Sequence, residues 1–240
     1  MSAMKLKQTL RWEIQSMGKA IAVFYMIMLA LYILMAVVVS VFASRVDLTY
    51  LTVGGGGTSS IMLAVLGIVM AWQTVRVGLT HGVSRKTLFT SIIIMSLLCV
   101  ISMTLIDLAL DALFSFITGI KLDSAFKEAT LSMIVYPLAT NLLSVAAGYF
   151  IGAAYYRMNK AMKIFVSIFV PTLVIIVIPI VFSYSTVIFP ASVVAAIADL
   201  MGWIGASINN QSLIMGIGAV LSMFFVWLLI RRAPAKPEQG

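Results

Sequence analysis

Apolar residues run through this chain in long blocks. They fall at about residues 20–43, 59–79, 89–113, 130–154, 164–188 and 211–230. Each is close to the roughly 20 residues that a helix needs to cross a hydrocarbon core of about 30 Å. A β-barrel would show short segments of alternating polarity instead, and that pattern is absent. The pattern predicts an all-α integral membrane protein with six transmembrane helices over residues 20–230, followed by a tail at 231–240.

Two stretches do not fit a plain span. In residues 1–19, Leu6, Leu10, Ile14 and Met17 follow helical spacing, while Lys7, Gln8, Arg11, Gln15 and Lys19 lie mostly on other faces. This predicts an amphipathic interfacial helix, drawn to anionic lipid by its cations. The following run, 20–43, is much longer than the 7–15 residues of a signal-peptide core, so it is read as a retained span despite the cleavage-like VFAS at 41–44. Segment 189–210 is too apolar for a loop, yet Asp199, Gly202 and Gly205 interrupt it. It predicts a helical hairpin at the outer leaflet between helices five and six, where protein or water satisfies an irregular backbone.

Charge then sets the orientation. With the N-terminus inside, Lys5, Lys7, Arg11, Lys19, Arg76, Arg85, Lys86, Arg157, Lys160, Lys163, Arg231, Arg232 and Lys236 fall on the cytoplasmic side, 13 of the 16 basic residues. Arg45, Lys121 and Lys127 stay outside, accompanied by Asp47, Asp123 and Glu128. The positive-inside rule therefore predicts a multi-pass membrane protein with both termini cytoplasmic. Trp12, Trp72, Tyr155, Tyr156 and Trp227 fall near the inner interface, and Tyr50 and Trp203 near the outer one. The net charge of +8 thus reports topology and not a nucleic-acid partner. At 62% hydrophobic and 10% charged residues, the composition agrees with membrane residence.

Few residues carry chemistry. The glycines of TVGGGGTSS (52–60) are not followed by the Lys-Ser/Thr pair of a phosphate loop, so they read as a flexible outer turn. A single histidine and a single cysteine exclude H-E-x-x-H and a Cys/His metal set, and no G-x-S-x-G occurs. Cys99, inside an apolar run, reads as a small buried apolar side chain. No catalytic residue, metal site or cofactor is assigned to this chain.

Asp107 and Asp111 lie at i and i+4 on one helix face, about 27 and 33 Å along the helix from Phe89 at 1.5 Å per residue. That places them near the outer headgroups. They read either as a wetted structural pair, bonded to Lys121 or Lys127, or as part of an acidic vestibule on a translocation path. Asn141, nearer mid-helix, is a further polar candidate for the path and for bonding between helices. Thr140, Ser144, Gly148 and Gly152 recur at four-residue intervals, a stripe of small residues that lets helices approach closely. Pro171 and Pro179 remove backbone donors and predict a kink in the fifth span.

The most distinctive stretch is LTHGVSRKTLF, residues 79–89, which holds the only histidine, His81. Gly82 ends one helix, Ser84 caps the next, and Arg85 and Lys86 fill its first turn. The product is a rigid cationic knob suited to an acidic groove. At Gly82, Val83, Ser84, Arg85 and Lys86, followed by Leu88 and Phe89, the sequence resembles the permease subunits of ABC transporters of the ABC-2 type. Their loop between helices two and three commonly reads like GVSRK followed by an aromatic or apolar residue. The layout is similar too: an interfacial first helix, six spans, both ends inside, and a membrane-touching segment before the last span.

The resemblance implies that residues 81–86 couple to a separate ABC ATPase subunit, which binds the ATP and Mg that this chain has no means to hold. It also implies a dimer with a second permease copy or a related permease. The implied activity is export of a hydrophobic or amphipathic substrate such as an antimicrobial peptide, a drug or a lipid-linked molecule. Two other classes stay open on the residues alone. One is an ATP-independent secondary transporter or substrate-capture protein, which would want a midplane ionisable group or a helix broken around substrate. The other is a non-transporting membrane sensor or immunity scaffold.

Overall fold

The computed structural model of the chain describes residues 2–42, 55–80, 82–118, 132–177, 179–180, 184 and 190–231. Among them the architecture is helical: α1 (Ser2–Phe42), α2 (Gly55–Thr80), α3 (Arg85–Thr118), α4 (Ser132–Arg157), α5 (Lys160–Thr172), α6 (Ala191–Gly205) and α7 (Ile208–Arg231). A π-helical segment, Leu173–Val177, continues α5. Five of these helices are long and apolar enough to cross a membrane, through Glu13–Leu31, Thr58–Thr80, Arg85–Leu110, Ile134–Arg157 and Ile208–Arg231. They make the chain an α-helical, multi-pass membrane protein.

Side-chain pairings fix the directions of the helices. Ser60 meets Asn141 and Trp72 meets Tyr156, so α2 and α4 run parallel. Thr140 meets Met215 and Phe150 meets Phe225, so α7 runs parallel to both. The short turn at residues 82–84 reverses the chain, making α3 antiparallel to them. Glu13 meets Ser91 and Tyr25 meets Asp107, which sets α1 alongside α3 in the same direction. The N-terminal part of α1, the turn, and the C-terminal ends of α4 and α7 therefore share one end of the bundle, called here the turn end.

The tightest seam lies between α2 and α4. A Cβ on Gly148 would collide with the carbonyl oxygen of Ala64, and one on Gly152 would lie 2.6 Å from the carbonyl oxygen of Ile68. Backbones this close exclude any larger residue, and in lipid such packing is a main source of helix association. The small-residue stripe is thus a packing element in its second half. Its first half acts differently: Ser144 donates to Thr140 O at 2.9 Å, and Thr140 donates back to Tyr136 O and approaches Met215 Sδ of α7. Tyr149, Tyr156, Leu63, Met95 and Met103 fill the core around the seam, each almost wholly buried.

Three expectations change. Residues 1–19 and 20–43 were expected as separate elements, yet α1 is one continuous 41-residue helix. At 1.5 Å per residue it is about 60 Å long, twice a hydrocarbon core. Its buried face is also different, because Met17 is buried while Ile14 stands 50% exposed. The neighbours on that face are Leu10 and Glu13. The glycine run expected as an outer turn instead opens a helix: α2 starts at Gly55, and Ser59 and Ser60 in its second turn are buried. Residues 52–54 lie outside the described residues.

The expected fifth span appears as α5 and its π-helical continuation. Pro171 lacks the N–H that an α-helical ladder requires, and the wider π spacing begins two residues later. None of α5 is buried. It leans on the bundle through Tyr155 and Ser167, whose hydroxyls lie 2.8 Å apart, and through Lys163 Nζ, 4.8 Å above the Trp72 ring. In the segment expected as a hairpin, residues 190–210 are described, and they hold helix α6, a turn and the first residues of α7. Helix α6 turns into α7 through Ala206 and Ser207, with Asn210 Nδ2 donating to Trp203 O at 2.7 Å.

Candidate functional site

The turn between α2 and α3 is built by local chemistry. Gly82 takes φ +65°, a left-handed conformation that glycine adopts without steric cost. It lets Gly82 N–H donate to Leu79 O at 3.2 Å and Val83 N–H to Gly78 O at 2.8 Å, which closes α2. Ser84 Oγ accepts from the Thr87 N–H at 3.2 Å and starts α3. Leu88, fully buried, presses onto Gly78 so closely that a Cβ there would overlap its side chain. The result is a stiff corner with Gly82, Ser84, Arg85 and Lys86 exposed and Val83 half-buried. His81 lies outside the described residues.

Arg85 ties this corner to a third helix. Its Nη1 donates to the carbonyl oxygen of Arg231 at 2.6 Å, one of the orphan carbonyls at the C-terminus of α7. One turn farther in, the Phe89 and Trp227 rings pack 5.1 Å apart.

Beneath the corner lies a residue that the sequence pattern did not single out. Glu13 of α1 is fully buried; Thr74 Oγ1 of α2 donates to its Oε1 at 2.7 Å and Ser91 Oγ of α3 donates to its Oε2 at 2.7 Å. Thr74 and Ser91 each sit six residues from the turn-end limits of their helices, about 9 Å along the axis. A carboxylate taken from water is costly unless its oxygens find donors, and here each oxygen has one. Glu13 therefore clamps α1 to both arms of the α2–α3 corner. Next to the same face of α1, Cys99 Sγ lies 3.2 Å from Met17 Sδ and is buried, as expected. Tyr149 Oη is the buried side-chain polar atom that finds no partner among the described residues.

A second polar group crosses the bundle nearer its other end. Asn141 is fully buried; its Oδ1 accepts from Ser60 Oγ at 2.7 Å and its Nδ2 donates to Thr104 Oγ1 at 3.0 Å. Ser59 Oγ approaches the same Oδ1 at 3.5 Å and also hydrogen-bonds Asp107. Asp107 is half-buried and accepts from Tyr25 Oη of α1 at 2.7 Å. A string of hydrogen bonds thus runs from α1 through α3 and α2 to α4, bringing Asp107 and Asn141 together. Asp111 belongs to α3, but its side chain lies outside the described residues, as do Lys121 and Lys127. No group of three metal-ligating side chains occurs among the described residues.

Glu13, Thr74, Ser91, Tyr25, Ser60 and Thr104 were missed from the sequence. One signal was available: Glu13 is the only acidic residue in the first 46, and it falls three after Leu10 and four before Met17, on one helical face. A lone carboxylate on an apolar stripe near a membrane is a functional-site candidate by default. No protein-family model, curated protein or solved structure matches the chain.

Proposed function

We propose that this chain is the membrane-spanning subunit of an ATP-driven exporter of the ABC-2 type, and that the Gly82–Lys86 corner receives force from a separate ATPase that binds ATP and Mg. The proposal has six spans, with residues 164–188 as the fifth, and both termini in the cytoplasm. A second permease copy or a related permease completes the path, and the cargo is hydrophobic or amphipathic.

One observation carries this reading beyond the sequence resemblance. The exposed cationic corner is rigid, and its two arms are fastened to α1 by Glu13 and to α7 by Arg85. A displacement of the corner therefore reaches four helices at once, as a coupling element requires. The Asp107–Asn141 string supports a role in holding α1 to α4 as that displacement passes.

Lys86 tests the docking without disturbing the fastenings, because it is exposed on the corner. Lys86→Glu is expected to weaken ATPase recovery with the native-membrane complex about tenfold or more, since reversing an interfacial charge leaves like charges facing. Partners are identified by mass, and an ATPase carrying a Walker A motif is the expected one. Unchanged recovery together with unchanged ATP-dependent export rules out the coupling assignment. If no ATPase co-purifies with the wild-type chain, the ATP-independent transporter or the sensor replaces it.

A further inference from the structure

Between α3, α4 and α7 a groove of about 360 Å³ opens on the side of the bundle, lined by Phe89, Ile93, Leu97, Leu142, Val220 and Phe224 among others. Its volume lies within the ~300–1,000 Å³ of ordinary ligand sites, although apart from Ser96 nothing polar lines it. The Ser96 hydroxyl is already directed to Ile92 O at 2.7 Å. Val220 is 68% exposed and Phe224 54%, so the groove faces the bilayer rather than the interior of the bundle.

What occupies it is argued from the order of chemistry along its two walls. At the turn end stand Arg85, Lys86 and Arg231, all exposed, and the bond from Arg85 to the Arg231 carbonyl holds two of these residues together. Next comes the Phe89–Trp227 pair, at the depth where amphipathic rings favour the headgroup boundary. Beyond it the walls are aliphatic and aromatic, ending near Leu97 on α3 and Val220 on α7. Lys86 to Leu97 and Arg231 to Val220 are each eleven residues, about 16 Å of helix. That is close to half of a ~30 Å hydrocarbon core, the depth of one leaflet.

We propose that this groove is a binding site for one anionic phospholipid of the surrounding bilayer. Its phosphate lies on Arg85, Lys86 and Arg231, and one acyl chain lies between α3 and α7. Cationic sites between transmembrane helices select anionic headgroups in this way, with about 1 kcal/mol from each Lys or Arg. The lipid would buttress the corner from outside, on the side of α3 away from Glu13. The site depends on membrane residence alone and not on the identity of any ATPase.

Native mass spectrometry of the detergent-purified chain, offered phosphatidylglycerol or phosphatidylcholine with the same acyl chains, tests it. One phosphatidylglycerol per chain should be retained, with at least tenfold preference over phosphatidylcholine. Lys86→Gln with Arg231→Gln should erase most of that preference, at about fivefold per charge removed. Leu97→Trp with Val220→Trp, at positions 45% and 68% exposed, should fill the groove and lower retention of either lipid. Equal retention of the two lipids by the wild-type chain overturns the proposal. So does wild-type retention of phosphatidylglycerol by either double variant.

Discussion

Helices α4 and α5 are neighbours in sequence and similarly apolar, yet they occupy different physical worlds. Helix α4 touches α2, α3 and α7, buries Asn141, Val145, Ala146, Tyr149 and Ala153, and brings its glycines against another backbone. Helix α5 buries nothing and exposes Phe165, Ile168 and Phe169. Hydropathy does not separate them, because bulky apolar residues satisfy lipid as well as they satisfy a protein core. Small and polar residues separate them: α4 has Gly148, Gly152, Ser144 and Asn141 at helical spacing, whereas α5 has Ser167 and Thr172 as its only hydroxyls, one of them turned back on its own helix. In a bilayer, the interior of a bundle is written in the residues that lipid has no use for.

The sharpest way to break the contrast is to remove the close approach of α2 and α4. Gly148→Leu places a side chain where the Ala64 carbonyl already is, and Ile68 and Ala71 leave no room for a sideways shift near Gly152. Overpacking of this kind costs typically 1–3 kcal/mol, and more where the obstacle is backbone. We expect a loss of about 3 kcal/mol or more, read as a collapsed thermal transition and aggregation on size exclusion. Gly216→Ala of α7, where a Cβ meets nothing within 4 Å, is the matched control and should be neutral or slightly stabilising.

Glu13 gives the next largest effect. Glu13→Ala removes the acceptor shared by Thr74 and Ser91 and leaves a cavity, and unsatisfied buried hydroxyls cost about 1–3 kcal/mol each before they relax to nearby carbonyls. A net loss of about 2 kcal/mol is expected in a detergent melt. The triple change Glu13→Leu, Thr74→Val and Ser91→Ala should recover most of it, because replacing all partners by apolar groups removes the unmet need. Equal instability of the triple and single variants would mean that Glu13 acts through packing alone. If the corner transmits force, the triple variant should also be stable yet weak in ATP-dependent export, which separates clamping from folding.

The sequence revealed the elements better than their partners. Apolar runs located the five long helices, Gly82 and Ser84 marked the corner, and the glycines of α4 marked the seam, since each is a local signal with a local cause. Glu13, Tyr25 and Ser60 stayed hidden because their importance lies in what they face across 61 to 82 residues of chain, and hydropathy carries no information about facing. The face of α1 was misjudged for the same reason: Ile14 is apolar and suits lipid, while Glu13 is polar and needs protein. The opening of α2 in glycine was likewise unreadable, because Ser59 and Ser60 are held in helix by Asn141 and Asp107 of other elements.

The smallest expected effect belongs to α5. Ile168→Ala removes a side chain that is 66% exposed and lies outside the buried core, so the melt of the single chain should move by no more than about 0.5 kcal/mol. The equivalent change on α4, Val145→Ala, deletes fully buried methyl groups beside the Gly67 approach and should cost about 1–3 kcal/mol. If the proposed second permease packs against α5, Ile168→Ala would instead weaken dimer recovery while leaving the monomer melt unchanged. A large loss of monomer stability at Ile168 would show that α5 is already inside the bundle, and the difference between the two helices would then be one of sequence only.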